Sequence, residues 1–267
     1  MVKDRDKTLI KLIQLACVCL FLGRGVTFLM EFDQTFIDHT PLIAVKICGI
    51  ILIAAAIILL VYKHVKRTFV VPAIIIASAV LSLHSIIAAW YSSFPFAQMI
   101  EHSLQLGTPI VLIRLIYTPD RIDSSYKVLL CLSVLTFVGH GLFALGIPEI
   151  PHSFLKLTSS IIGLNPEYSS YFLAVFGILD LIMLALLFKI PNIPIKRILI
   201  GYMIIWGGIT TLSRVTSGMI SYNLFSEDLL KMFTHTLYRI VHFIIPMVLF
   251  LILKRVHLKE FQHKVSN

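Results

Sequence analysis

The sequence predicts an all-α fold: a polytopic membrane helix bundle of about eight transmembrane helices, readable as two parallel four-helix repeats. Three observations carry that prediction. Of 267 residues, 58% are hydrophobic and 14% charged, against roughly 45–50% and 25% in soluble domains, more apolar surface than one soluble core can hide. Runs such as Pro41 to Tyr62 and Phe69 to Tyr91 match the ~20 residues that cross a 30 Å hydrocarbon layer at about 1.5 Å per residue. Lys and Arg gather in every second connection, as the retention of basic residues on the cytoplasmic side requires.

Taken in order, the first span covers 9–30, after the basic start Lys3, Arg5, Lys7 and Lys11. It is too long for the apolar region of a signal peptide and no small-residue cleavage site follows, so it reads as a retained span. The second covers 42–62 and runs into Lys63, Lys66 and Arg67; its stretch Ile50 to Val61 lacks the polar alternation of a β-barrel strand. The third and fourth cover 69–90 and 97–117, with Arg114, Arg121 and Lys127 beyond, and the fifth covers 127–147. The loop 148–167 carries Phe154, Leu155, Leu157, Ile161, Ile162 and Leu164 between Pro151 and Pro166. That pattern suits a short interfacial helix, either a cover for a cavity mouth or an ordinary amphipathic connector.

The sixth span, 168–189, leads into Lys189, Lys196 and Arg197, the seventh covers 197–220, and the eighth, 233–254, is followed by Lys254, Arg255, Lys259 and Lys264. The opposite connections hold only Lys156 and Lys231. Both termini are therefore expected in the cytoplasm, with the chain in the plasma (inner) membrane. The net charge of +9 follows from this topology and adds attraction to anionic lipid. It forms no single basic cluster with interleaved aromatics, which argues against a nucleic-acid partner. Cys17, Cys19, Cys48 and Cys131 all fall within spans and read as small buried apolar residues rather than a disulfide framework.

Self-comparison suggests two units, 1–118 and 119–267. Phe21-Leu22-Gly23-Arg24-Gly25 recurs as Phe137-Val138-Gly139-His140-Gly141, and Gly49-Ile50-Ile51 as Gly177-Ile178-Leu179. Leu83-His84 can be set against Ser213-Arg214, and His102-Ser103-Leu104 against His235-Thr236-Leu237. The offsets rise in order, as a tandem duplication with a longer loop in its second copy would leave them.

The stretch Gly177-Ile178-Leu179-Asp180-Leu181-Ile182, through Leu186-Leu187-Phe188 into the basic turn Lys196-Arg197, resembles helices two and three of DoxX-like membrane proteins. Gly23-Arg24-Gly25 is compatible with their helix one, although Leu52 stands where the first half would carry the acidic residue. The resemblance implies a four-helix unit and a tilt toward membrane sulfur and quinone redox chemistry; haem is a separate candidate cofactor, since His84, His102, His140 and His242 could supply two ligands at matched depth on facing helices.

Ionisable groups within spans cost about 2.5–3.5 kcal/mol each at the centre, so they need partners or a task. The candidates are Arg24, His84, Glu101, His102, His140, Asp180, Arg214, His235, Arg239 and His242, with Gln105 beside Glu101 and His102. Helical spacing aligns His235, Arg239, His242 and Pro246, and separately Gly207, Thr210, Thr211, Arg214, Ser217 and Ser221. Turned inward, these stripes would line one cavity open to the outside, with Arg24, Arg214 and Arg239 set against Glu101 and Asp180. The excess positive charge suits an anionic or strongly polar group: a lipid headgroup, a quinone ring or a small anion. The plainer reading is that the same groups act as glue between helices. No metal-ligand spacing occurs, since His235 and His242 lie about 10.5 Å apart along one helix.

No phosphate-binding, dinucleotide or nucleophile-elbow motif occurs. Three readings stay open beyond the lipid bilayer as partner: a DoxX-like binding or redox component for a lipid-soluble or anionic small ligand, a small solute or ion transporter, and an assembly subunit with a membrane-complex partner. Against transport, Pro109 and Pro246 kink their spans but no glycine-rich interruption marks a broken helix.

Overall fold

The computed structural model describes residues 4–92, 94–147, 149–222 and 226–266, with backbone alone for 4, 5 and 256–266. Lys3, Arg5, Lys259 and Lys264, part of the predicted charge pattern, therefore lie outside the described side chains, and Pro148 outside the described residues. Among the described residues the architecture is all helical: α1 (Asp4–Leu29), α2 (Gln34–Asp38), α3 (Leu42–Leu60), α4 (Arg67–Trp90), α5 (Pro95–Glu101), α6 (Ser103–Tyr117), α7 (Ile122–Ala144), α8 (His152–Ile162), α9 (Pro166–Lys189), α10 (Ile193–Ser221), α11 (Glu227–Arg239) and α12 (Val241–Ser266). Side-chain caps open several of them: Asn165 accepts from Tyr168 N, Asn192 from Ile195 N and Ser226 from Leu229 N. Gly163 closes α8 in the left-handed region at φ 72°.

Seven described stretches are long and apolar enough to cross a membrane: α1, α3, α4, α7 with its preceding turn, α9, α10 and the run Glu227–Arg255. By length and composition this is a multi-pass membrane protein. The predicted fourth span is not among the seven because it is broken at His102 into α5 and α6. The ends of the bundle show that the two pieces together make one traverse. Arg255, where the apolar run Glu227–Arg255 ends, pairs with Asp6 at the start of α1 and with Asp123 at the start of α7, the latter at 3.3 Å. Bringing those three ends together requires an even number of crossings.

A second break, at Ile240, separates α11 from α12. The expectation of no broken helix is thus corrected. The signal is proline rather than glycine: Pro109 and Pro246 lie within two turns after the breaks and remove the N–H that would bond the carbonyls of Gln105 and His242. At the first break Leu104 N–H is donated instead to Thr136 Oγ1 at 3.0 Å. At the second, α10 backs onto the freed His242 carbonyl through Gly207, where a Cβ would lie 2.4 Å from that oxygen.

Burial runs opposite to a soluble protein's. The most apolar 18-residue windows of α1 and of Glu227–Arg255 are 61% buried, those of α9 and α10 only 28%. The former make the centre and the latter turn Ile178, Ile182, Ile198, Ile205 and Ile209 outward. Cys131 is also exposed, which corrects its reading as buried; a thiol is apolar enough to face lipid.

In lipid, apolar burial gives little drive for helices to associate, so small residues that let backbones approach set the contacts. On α1 and α3, a Cβ at either Gly25 or Gly49 would lie 2.9 Å from the other's carbonyl oxygen. On α7 and α9, the corresponding distances at Gly141 and Gly177 are 3.2 and 2.8 Å. Gly49→Ala and Gly177→Ala are expected to destabilise by about 1–3 kcal/mol, although alanine is the better helix former by about 1 kcal/mol. Gly201→Ala, with nothing within 4 Å of its Cβ, is expected to be neutral or stabilising. Thermal unfolding in detergent compares the three.

Candidate functional site

The polar residues gather where the two helix breaks face each other. Glu101 ends α5 and Arg239 ends α11; Arg239 Nη1 lies 2.9 Å from Glu101 Oε1, with side chains 12% and 4% exposed. His140 on α7 brings Nδ1 within 3.7 Å of the same oxygen, and its Nε2 lies 3.4 Å from His242 Nδ1. Among the described residues, His242 Nε2 is buried without a partner. Gly139 allows this approach, since a Cβ there would lie 2.7 Å from the Glu101 backbone nitrogen.

Around Arg24 the chain builds a second cluster. Its Nη1 pairs with Asp33 Oδ2 at 3.2 Å, its Nη2 donates to Gln105 Oε1 at 3.3 Å, and its guanidinium lies 3.8 Å from the centre of the Tyr238 ring. His84 Nε2 meets the same Asp33 oxygen at 2.8 Å, while His102 contacts Ser85 Oγ at 2.9 Å and Gln98 Nε2 at 3.2 Å. Asp33 also caps α2 by accepting from Phe36 N at 3.1 Å. Burial pushes the Asp33 carboxyl up, but the hydrogen bond and charge of His84 and the charge of Arg24 outweigh it and hold the group well below the usual carboxylate range.

The charge balance differs from the predicted one. Among the described residues Asp180 pairs with no arginine: it accepts from Tyr202 OH at 2.5 Å, and Asp33 is the carboxylate beside Arg24. Asp33 lies between spans and so escaped a search for charges within them, although an Asp three residues before the Phe36 amide is a cap signature. Tyr238 was missed because an aromatic beside a polar stripe reads as packing. Arg214 is the cation left over. Its Nη1 donates to the Thr210 carbonyl at 3.0 Å, and among the described residues it joins no carboxylate.

Two cavities replace the single one expected. A polar vestibule of about 450 Å³ is bounded by Arg24, Asp33, His84, His102, Glu149 and Tyr238. A mainly apolar cavity of about 200 Å³ has Phe137, Phe154, Leu157, Ile161 and Phe172 as walls, with His140, Asp180, Arg214 and His242 among its polar groups. Arg239 and Phe143's neighbour Ala144 flank the seam; Arg239 itself borders both spaces. Helix α8 supplies Phe154, Leu157 and Ile161, so the loop 148–167 walls the second cavity. Glu101 and Gln105 sit behind the lining, and His235 borders neither cavity, its ring 5.4 Å from that of Tyr238.

No known family profile, no characterised protein and no solved structure matches this chain.

Asp33→Asn is expected to leave Arg24 and His84 without their counter-charge, at a cost of about 3 kcal/mol. Because the folded carboxyl titrates below the unfolded one, that contribution is full above about pH 5, shrinks as pH falls past the unfolded value near about 4, and vanishes below the folded value. Wild-type and variant unfolding midpoints, measured from neutral to strongly acidic pH, are expected to converge in that order.

Proposed function

We propose that the chain is a membrane-embedded binding protein of the DoxX-like kind, built from two four-helix units, that holds a lipid-soluble ligand with an anionic head in the cavity behind α8. The observation that carries this reading is Arg214: a cation on the wall of an apolar cavity that forms no ion pair among the described residues, the carboxylate sharing that cavity, Asp180, being held by the Tyr202 hydroxyl. The unpartnered Nε2 of His242 on the same wall adds a second unmet polar group.

Comparison of the halves sharpens the argument. The contacts favour pairing Arg24 with His140, His84 with Arg214, Glu101 with Tyr238, and Gln105 with His242. Arg24 reaches Gln105 of its own half and Tyr238 of the other, just as His140 reaches His242 of its own half and Glu101 of the other. The glycine contacts on α1/α3 and α7/α9 follow the same correspondence, as do Pro109 and Pro246. The same correspondence would pair His102 with Arg239, in place of the pairing of His102 with His235 drawn from the sequence. In the first unit Asp33 sits against Arg24 and His84. In the second, the loop carboxylate Glu149 borders the vestibule and His140 turns to Glu101, so Arg214 is left for an acid that arrives with the ligand. Phe154, Leu157, Ile161 and Phe172 would hold its chain.

The orientation with both termini in the cytoplasm, and residence in the plasma membrane, belong to this proposal and rest on the basic loops. A transport reading has one observation of its own, the pair of broken helices meeting at Glu101 and Arg239; solute flux in reconstituted vesicles would select it.

Binding of dodecyl phosphate to the purified protein, read from Trp206 fluorescence in a Trp90→Phe background, tests the site directly, since Trp206 borders the cavity. Dodecyl phosphate is expected to bind more tightly than dodecanol, and Arg214→Gln to weaken it roughly tenfold or more. Equal affinity for the two probes, or indifference to Arg214→Gln, would overturn the assignment.

A further inference from the structure

A third cavity, of about 290 Å³, opens at the end of the bundle that carries the N-terminus, remote from the breaks and unused by the proposed function. Its rim is cationic: Lys7 and Lys11 one turn apart on α1, Lys63 in the turn after α3, and Arg67 at the first position of α4. None of its lining residues is acidic. Its inner wall is apolar, formed by Ile10 of α1 and Leu112, Leu115 and Ile116 of α6, and Gln14 closes it by donating to the Leu59 carbonyl.

Basic loops are expected wherever a chain is anchored on the cytoplasmic side, but such charges ordinarily spread into water. Here Lys11, Lys63 and Arg67 converge from three separate segments on one concavity with an apolar wall. The start of α4 adds to the field. Its N-cap residue, Lys66, makes no side-chain capping bond, and its first turn carries Arg67 in place of the acidic residues that suit a helix N-terminus.

The second unit treats its own cations differently at this end. Arg197, which follows from Arg67 by the same offset that relates His84 to Arg214, lies 5.1 Å from the centre of the Phe250 ring, and Asp123 engages Arg255. There Arg197 and Arg255 are engaged by protein groups; in the first unit Lys11, Lys63 and Arg67 border an open space.

We infer that this cavity is a binding site for one anionic phospholipid of the adjoining leaflet, the phosphate and headgroup held by Lys11, Lys63 and Arg67 and the start of an acyl chain laid along Leu112, Leu115 and Ile116. The apolar wall selects a lipid over free phosphate, because a soluble anion gains nothing from it.

Native mass spectrometry of the full chain in mild detergent tests this with dioctanoyl phosphatidylglycerol, dioctanoyl phosphatidylcholine and inorganic phosphate as probes. One phosphatidylglycerol is expected to be retained roughly tenfold more strongly than phosphatidylcholine. The preference is expected to disappear in the triple variant Lys11→Gln, Lys63→Gln, Arg67→Gln and to persist in Lys127→Gln, Lys189→Gln, Lys254→Gln, which removes the same charge elsewhere. Equal retention of the two lipids, equal loss in both triple variants, or displacement of phosphatidylglycerol by an equal concentration of inorganic phosphate would overturn it.

Discussion

The ion pair between Glu101 and Arg239 is the constraint around which the bundle is arranged. In hydrocarbon neither charge can be left alone without a cost of several kcal/mol, and both stand at the last residue of a helix that stops inside the bundle. Pairing them fixes the two breaks relative to each other. It then fixes α7, whose Gly139 must lie against the Glu101 backbone, and α1, whose Gly23 must lie against Tyr238, 2.6 Å from its nitrogen to a Cβ that is not there. The central helices are located by one electrostatic contact and two missing side chains.

This arrangement explains why α9 and α10 can stay on the outside with most of their apolar windows exposed. Lipid accepts isoleucine as readily as a protein core does, so α9 and α10 gain little by hiding their apolar faces. What must be hidden is the polar set: Arg24, His84, Glu101, His102 and His242 are each less than 5% exposed. Hydrogen bonds and ion pairs in a low dielectric provide the specificity that apolar matching provides in water.

Much of the fold was readable because span length and basic loops answer to the bilayer rather than to tertiary detail. Seven stretches and the positions of their connections follow directly. The eighth traverse was readable as an apolar run but not as two pieces, since proline announces a kink without saying how many residues before it the chain will part. At the site, charges inside spans identified Arg24, Glu101, Arg239 and the histidines as residues needing partners. Their pairings depended on Asp33, a loop residue that folds back against Arg24 and His84, and on Tyr202, whose hydroxyl takes Asp180 away from the arginines. Those are questions of where a loop returns and which helix faces which, and periodicity along one helix is silent on both. The two cavities were unreadable for the same reason, because Phe154 and Leu157 on α8 decide where one ends.

Arg239 borders both cavities while holding Glu101 between them. A guanidinium has a fixed number of N–H groups in a rigid fork, and those turned toward one space are withdrawn from the other. Under the proposed function, occupancy of the vestibule and of the apolar cavity is therefore not independent. Whatever draws Arg239 toward itself on one side alters affinity on the other, and by thermodynamic necessity the influence is equal in both directions. One shared side chain would then turn two adjacent spaces into linked sites.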